Sequence, residues 1–193
     1  MKFLICVFSL LSLFGCATPR PTFKREYTAV NSKDFKYEDK NILFTYTPIS
    51  YGSSIPISIQ NKSDKAIKII WDESTFINQL GQSERILHEG VKLADRNTSM
   101  PPSVLPPLGK IEDSITPTSK IDWIGNNWSY SMICGDENHK GDLLNEMYQT
   151  VGLYQEDEHC LNQTFGLFLT YEIDGKKSTF TSKYRLSKRQ INK

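Results

Sequence analysis

The sequence predicts an all-β domain, a β-sandwich with one short inserted helix, preceded by a signal peptide and a polar tether. Three observations carry that reading. Apolar side chains recur with period two through most of the chain after residue 40. Clusters of Gly, Asn, Asp, Ser and Pro separate these runs at short intervals, as in sandwiches built from many short strands. Two late runs are joined by Asp174-Gly175, and the register that this turn imposes agrees with their apolar faces.

The elements follow in order. Residues 1–15 are a leader: Lys2 gives a positive start, Phe3 to Phe14 is apolar except for Ser9 and Ser12, and Gly15 is small. A run that short is a cleaved export signal rather than a spanning helix. Residues 16–39 are polar, with Pro19 and Pro21 near the start, and read as a tether with an early strand at residues 27–30. Residues 40–187 hold the sandwich. Ile42-Leu43-Phe44-Thr45-Tyr46 is its first strand. Ile55, Ile57 and Ile59 form the inner face of the next, where Pro56 implies an edge strand or a bulge. Asn61 to Lys65 is a turn, and Ile67, Ile69 and Trp71 share a face of the strand after it. Phe76-Ile77 and residues 85–88 flank a hairpin tip at Leu80-Gly81-Gln82. Asp142 caps a helix with Leu143, Leu144, Met147 and Val151 as its apolar stripe and Gly152 as its end. Phe165, Leu167, Leu169, Tyr171 and Ile173 line one face of a long strand. The Asp174-Gly175 turn sets Ile173 against Lys176, Leu169 against Phe180 and Phe165 against Tyr184. Residues 188–193 remain as a basic tail.

Leu13-Phe14-Gly15-Cys16 resembles the lipobox of bacterial lipoproteins. Leu13 and Gly15 match that pattern, and Phe14 departs from the usual small or β-branched residue. The resemblance implies cleavage before Cys16 and lipid on its sulfur. By resemblance to the sorting rules of diderm lipoproteins, Ala17 in place of Asp implies an outer-membrane address facing the periplasm. Gly15-Cys16-Ala17 also offers small residues for ordinary cleavage after Ala17, which would release a soluble secreted module.

Composition narrows the function classes. The chain has 23 Lys plus Arg and 22 Asp plus Glu, and removal of Lys2 with the leader balances them. A nucleic-acid binder needs a basic excess, so none is expected. Residues 136–158 hold seven acids against Lys140 alone, and residues 176–193 hold seven bases and no acid. These segments read first as solvated loop and tail. The sharper alternatives are that they face each other or that the basic end meets anionic lipid.

Beyond Cys16 and the leader's Cys6, the cysteines are Cys134 and Cys160. In an exported chain an isolated pair reads as a disulfide. It would close about 27 residues and contribute roughly 3.5 kcal/mol by loop entropy. A zinc site with His139 and His159 fits worse, because adjacent His159-Cys160 cannot easily reach one tetrahedral ion.

Residues 57–71, ISIQNKSDKAIKIIW, resemble the start of immunoglobulin-like domains in bacterial lipoproteins and in the LEA14-like group. The run from Pro101 to Lys110 and the later Ile115-Thr116-Pro117 are similar to lipoproteins of this type. The resemblance spans residues 40–186 and implies an immunoglobulin-like sandwich; it implies no activity.

No catalytic motif is evident. His88-Glu89 begins a zinc-protease pattern, but Lys92 stands where the second histidine belongs. There is no Gly-x-Ser-x-Gly elbow and no phosphate loop. Asp136-Glu137-Asn138 opens like a calcium loop, but Lys140 and Met147 occupy ligand positions. No metal or cofactor is expected. An exported hydrolase built around His139, His159 and the acidic segment is the enzymatic alternative.

Two features bear on binding. Residues 89–110 form a long connection stiffened by Pro101, Pro102, Pro106 and Pro107. It reads as a fixed crossover along the sandwich edge, or as a binding loop. Trp123-Ile124-Gly125-Asn126-Asn127-Trp128 is a turn flanked by tryptophans, with Tyr130 close behind. These aromatics either cap the core or form a recognition patch. The expectation is a non-catalytic, lipid-anchored envelope module with a membrane contact through its lipid, an envelope protein partner, and no stated oligomeric state.

Overall fold

The computed structural model describes residues 22–48, 53–131, 133 and 160–192. In chain order the strands are β1 Thr22–Ala29, β2 Lys36–Glu38, β3 Ile42–Tyr46, β4 Ile55–Asn61, β5 Ile67–Ile69, β6 Thr75–Ile77 and β7 Ser83–His88. They continue as β8 Ser103–Leu105, β9 Lys110–Pro117, β10 Ile121–Ile124, β11 Asn127–Tyr130, β12 Thr164–Ile173 and β13 Lys176–Asn192. The fold is all-β, and its helical pieces among the described residues are short 3-10 turns, including those at Trp71–Glu73, Leu93–Asp95 and Thr118–Lys120. The helix expected from Asp142 to Gly152 lies outside them, as do the leader and Cys16.

All pairings are antiparallel and form a curled sandwich. One layer runs β1-β13-β12, with β6 on one half of β12 and β5 followed by β8 on the other. The second layer runs β2-β3-β4-β9-β7. β7 belongs to both layers. Its residues 83–85 pair with β6, and Ile86, Leu87 and His88 pair with β9. A strand that changes layers in this way makes the corner of a sandwich.

The late hairpin has the register predicted from its turn. Ile173 pairs with Lys176, Leu169 with Phe180 and Phe165 with Tyr184. Asp174 and Gly175 both take positive φ, 49° and 73°, as a turn matched to strand twist requires. Between the layers the core is aromatic. The Phe44 and Phe180 rings lie 5.2 Å apart, and Tyr46 and Tyr184 lie 5.7 Å apart. Tyr37 of β2 stacks on Phe180 at 4.0 Å. Ile55, Ile57, Ile59, Ile67 and Ile69 are all buried, as their alternation predicts. The Trp71 side chain is buried as well, although β5 stops at Ile69 and residues 71–73 turn as a 3-10 segment.

Three points differ from the sequence reading. The supposed tether already contains β1 and β2. β1 lies along β13 from Thr22↔Asn192 to Ala29↔Tyr184, with a bulge at Glu26/Tyr27. It is the outermost strand of its layer, so it needs few apolar residues and looks polar in sequence. The basic tail is likewise strand as far as Asn192. Finally, Pro56 lies on neither an edge strand nor a bulge: β4 sits between β3 and β9. Thr47 N donates to Pro56 O at 3.1 Å. Proline withholds only the reciprocal bond, at the last position where β3 and β4 meet.

Candidate functional site

The long connection between β7 and β9 is held down along its length. The Asp72 carboxylate accepts from the Met100 amide at 3.1 Å, from Arg85 at 2.9 Å and from the Ser99 hydroxyl. Met100 is buried, and Trp71 Nε1 donates to Ser103 Oγ at 2.8 Å. β8 then adds Ser103–Leu105 to β5. Asn61, itself buried, donates from Nδ2 to Lys65 O at 2.7 Å and to Pro106 O at 2.9 Å. Pro101, Pro102, Pro106 and Pro107 therefore lie exposed on a fixed crossover.

The tryptophan turn is a separate hairpin. β10 and β11 pair Ile121 with Tyr130 and Trp123 with Trp128. Gly125 and Asn126 form the tip, with φ of 56° and 72°. The two readings of these tryptophans divide between them. Trp128 packs against the core, with the Arg96 guanidinium 4.8 Å above its ring. Trp123 touches it edge-on at 4.9 Å but is 54% exposed, and Ile124 and Tyr130 are exposed at 40% and 48%.

At the base of this hairpin is a cleft of about 650 Å3. Its walls come from the end of β7 and the turn after it (Leu87, His88, Glu89, Gly90), from Ser114 and Thr116 of β9, from Ser53 and Ser54, and from Ile121 and Tyr130. Gly90, at φ 89°, makes the turn that a side-chain-bearing residue would strain. The strand pleat separates two polar sets on β9: Ser114 and Thr116 share one face and line the cleft, whereas Asp113 shares the other with Ile111 and Ile115 and points inward. Its Oδ1 accepts from the Glu89 and Ser114 amides at 2.8 and 2.7 Å. Its Oδ2 faces His88 Nδ1 at 3.2 Å. The His88 ring stacks on Trp71 at 4.6 Å and 14°. A carboxylate only accepts, so Nδ1 is the donor. His88 Nε2 is buried without a hydrogen-bond partner. Ser54 and Thr116 bond hydroxyl to hydroxyl at 2.6 Å.

Sequence reasoning met His88 only as half of a failed zinc motif and missed Asp113. The legible signal was an acid at an inward strand position between two isoleucines. Among the described residues no three potential ligands gather as a metal site. Nor is any helix there long and apolar enough to cross a membrane.

Cys160 is buried and disulfide-bonded, and no second cysteine lies among the described residues. Cys134, His139, His159 and the acidic segment fall outside them. No protein-family model, no curated protein and no solved structure matches the chain.

Proposed function

We propose that this protein is a non-catalytic binding module of the bacterial cell envelope, held to a membrane by lipid on Cys16. In this reading it presents the β10–β11 hairpin and the adjoining cleft to its partner. The observation that carries the binding role is the exposed apolar group Trp123, Ile124 and Tyr130 on a hairpin outside both main layers. A rigid aromatic set is the usual anchor of a recognition surface, because it gives contact area at little entropic loss. The lipobox-like Leu13 to Cys16 supports the anchor, and the sandwich fits the immunoglobulin-like and LEA14-like resemblance. Cys134 is the proposed disulfide partner of Cys160, tying down the intervening residues.

Two experiments test this. Cys16→Ala is expected to leave unprocessed precursor without palmitate label; normal maturation of the variant overturns the anchor. A photo-crosslinking amino acid at position 123 or 124 is expected to capture an envelope component in native cells. Unchanged capture when the label is moved to Val104, exposed on β8, overturns the hairpin as the binding element.

A further inference from the structure

Resting on that binding role, we infer that the cleft and the hairpin face beside it take a neutral saccharide. The two surfaces are continuous. Ile121 and Tyr130 oppose each other and line the cleft, and Trp123 and Trp128 stand two residues further along the same strands. Side chains two apart on a strand share a face, so the cleft leads directly to the tryptophan pair.

The lining then selects the ligand by elimination. Among the described residues no Lys or Arg lines the cleft, whereas Glu89 does and is exposed. Among the described residues an anionic ligand would meet Glu89 in the cleft, and the cation placed on the hairpin, Arg96, is already engaged on the Trp128 ring. A metal ion finds no chelate, because among the described residues no three potential ligands gather at the cleft. A purely apolar ligand would strip water from Ser53 and Ser114 and return no hydrogen bond, although Ser54 and Thr116 keep theirs to each other. A polyhydroxylated neutral ring suits all three constraints. Its hydroxyls both donate and accept, so they match serine and threonine hydroxyls and can donate to Glu89. Its C–H face lies against the electron-rich faces of Tyr130 and Trp123, whose exposure leaves them free to receive it. His88 Nε2 is buried beneath this surface and makes no contact with the ligand.

The mature protein is titrated with neutral tetrasaccharides of N-acetylglucosamine, β-linked glucose and α-linked glucose, read by tryptophan fluorescence and by calorimetry. At least one is expected to saturate, with an affinity unchanged between about 0.05 and 0.5 M salt, since no charge attraction is involved. Trp123→Ala and Tyr130→Ala are expected to weaken it about three- to tenfold, the range of a lost aromatic contact, without shifting the thermal midpoint. No saturation by any of the three up to about 20 mM, a binding free energy below about 2.3 kcal/mol, overturns the saccharide assignment. So does binding that survives both substitutions. Photo-crosslinking to a protein through position 123 without glycan binding removes the saccharide but keeps the binding surface. Failure of both experiments removes both.

Discussion

Asn61 shows how one side chain can fix a local architecture. It is fully buried; Nδ2 serves the carbonyls of Lys65 and Pro106, and Oδ1 accepts from the Ser63 amide at 2.9 Å and hydroxyl at 2.8 Å. It therefore closes the β4–β5 turn and clips the proline-rich crossover to it. Asn61→Ala is expected to lower stability by about 1–3 kcal/mol, because the buried Leu105 carbonyl and the partly buried Lys65 and Pro106 carbonyls lose their donor; chemical denaturation measures it. The sequence marked Asn61 only as the first residue of a turn. Its second role depends on residues more than forty positions away, which no local pattern records. Asp113 and His88 were hidden for the same reason. Each is unremarkable in its own strand, and only the β7–β9 pairing brings them together. Trp123 and Trp128 were legible as a turn with aromatics, but which of them faces the core depends on Arg96 and the body beneath.

Among the elements, the β12–β13 hairpin was readable to the residue, since two independent signals, turn chemistry and alternation, agreed. Gly175 carries the turn through its φ of 73°, and a Cβ there would meet open space. Gly175→Ala is thus expected to cost about 1 kcal/mol from backbone conformation alone. A far larger loss in thermal or denaturant unfolding would show that the turn does more than reverse the chain. β1 and β2 were harder to see. An outer strand satisfies its backbone along one side only and buries few side chains, so its composition approaches that of a loop. Tyr27 and Tyr37 were the available clues: Tyr27 packs edge-on to Tyr184 at 5.9 Å, and Tyr37 covers Phe180. Pro56 misled in the opposite direction, because a proline at the last bonded position of an interior strand withholds only one donor.

On the scale of the molecule, the two layers are joined at Asp39 as well as through β7. Asp39 Oδ2 accepts from Tyr171 Oη at 2.7 Å and from Tyr37 Oη at 3.2 Å, while Oδ1 accepts from the Asn41 and Ile42 amides. Burial pushes the Asp39 carboxyl up, but the Tyr171 hydroxyl and the Ile42 and Asn41 amides together hold it below its ordinary value. A depressed carboxyl contributes stability that is full above the unfolded value of about 3.9 and is lost as pH falls through the folded one. Burial raises Tyr37, Tyr46, Tyr171 and Tyr184 above the ordinary phenol value. A raised phenol contributes stability that is full below about pH 10 and is lost as pH rises through the folded value. Denaturation midpoints are therefore expected to be flat between about pH 5 and 9 and to fall on both sides. Asp39→Asn should flatten the acid limb; an unchanged limb would remove Asp39 from that role. The pairing of Thr22 with Asn192 carries a different consequence. Only Ala17 to Pro21 intervene between Cys16 and β1, a leash of at most about 22 Å. With Cys16 lipidated as proposed, β1 would start within about 22 Å of the bilayer, and Asn192 would lie beside the mooring point. A fluorophore fused after Lys193 should then be quenched strongly by a headgroup dye, whereas one inserted at the exposed Leu80 tip reports how far the body rises above the surface.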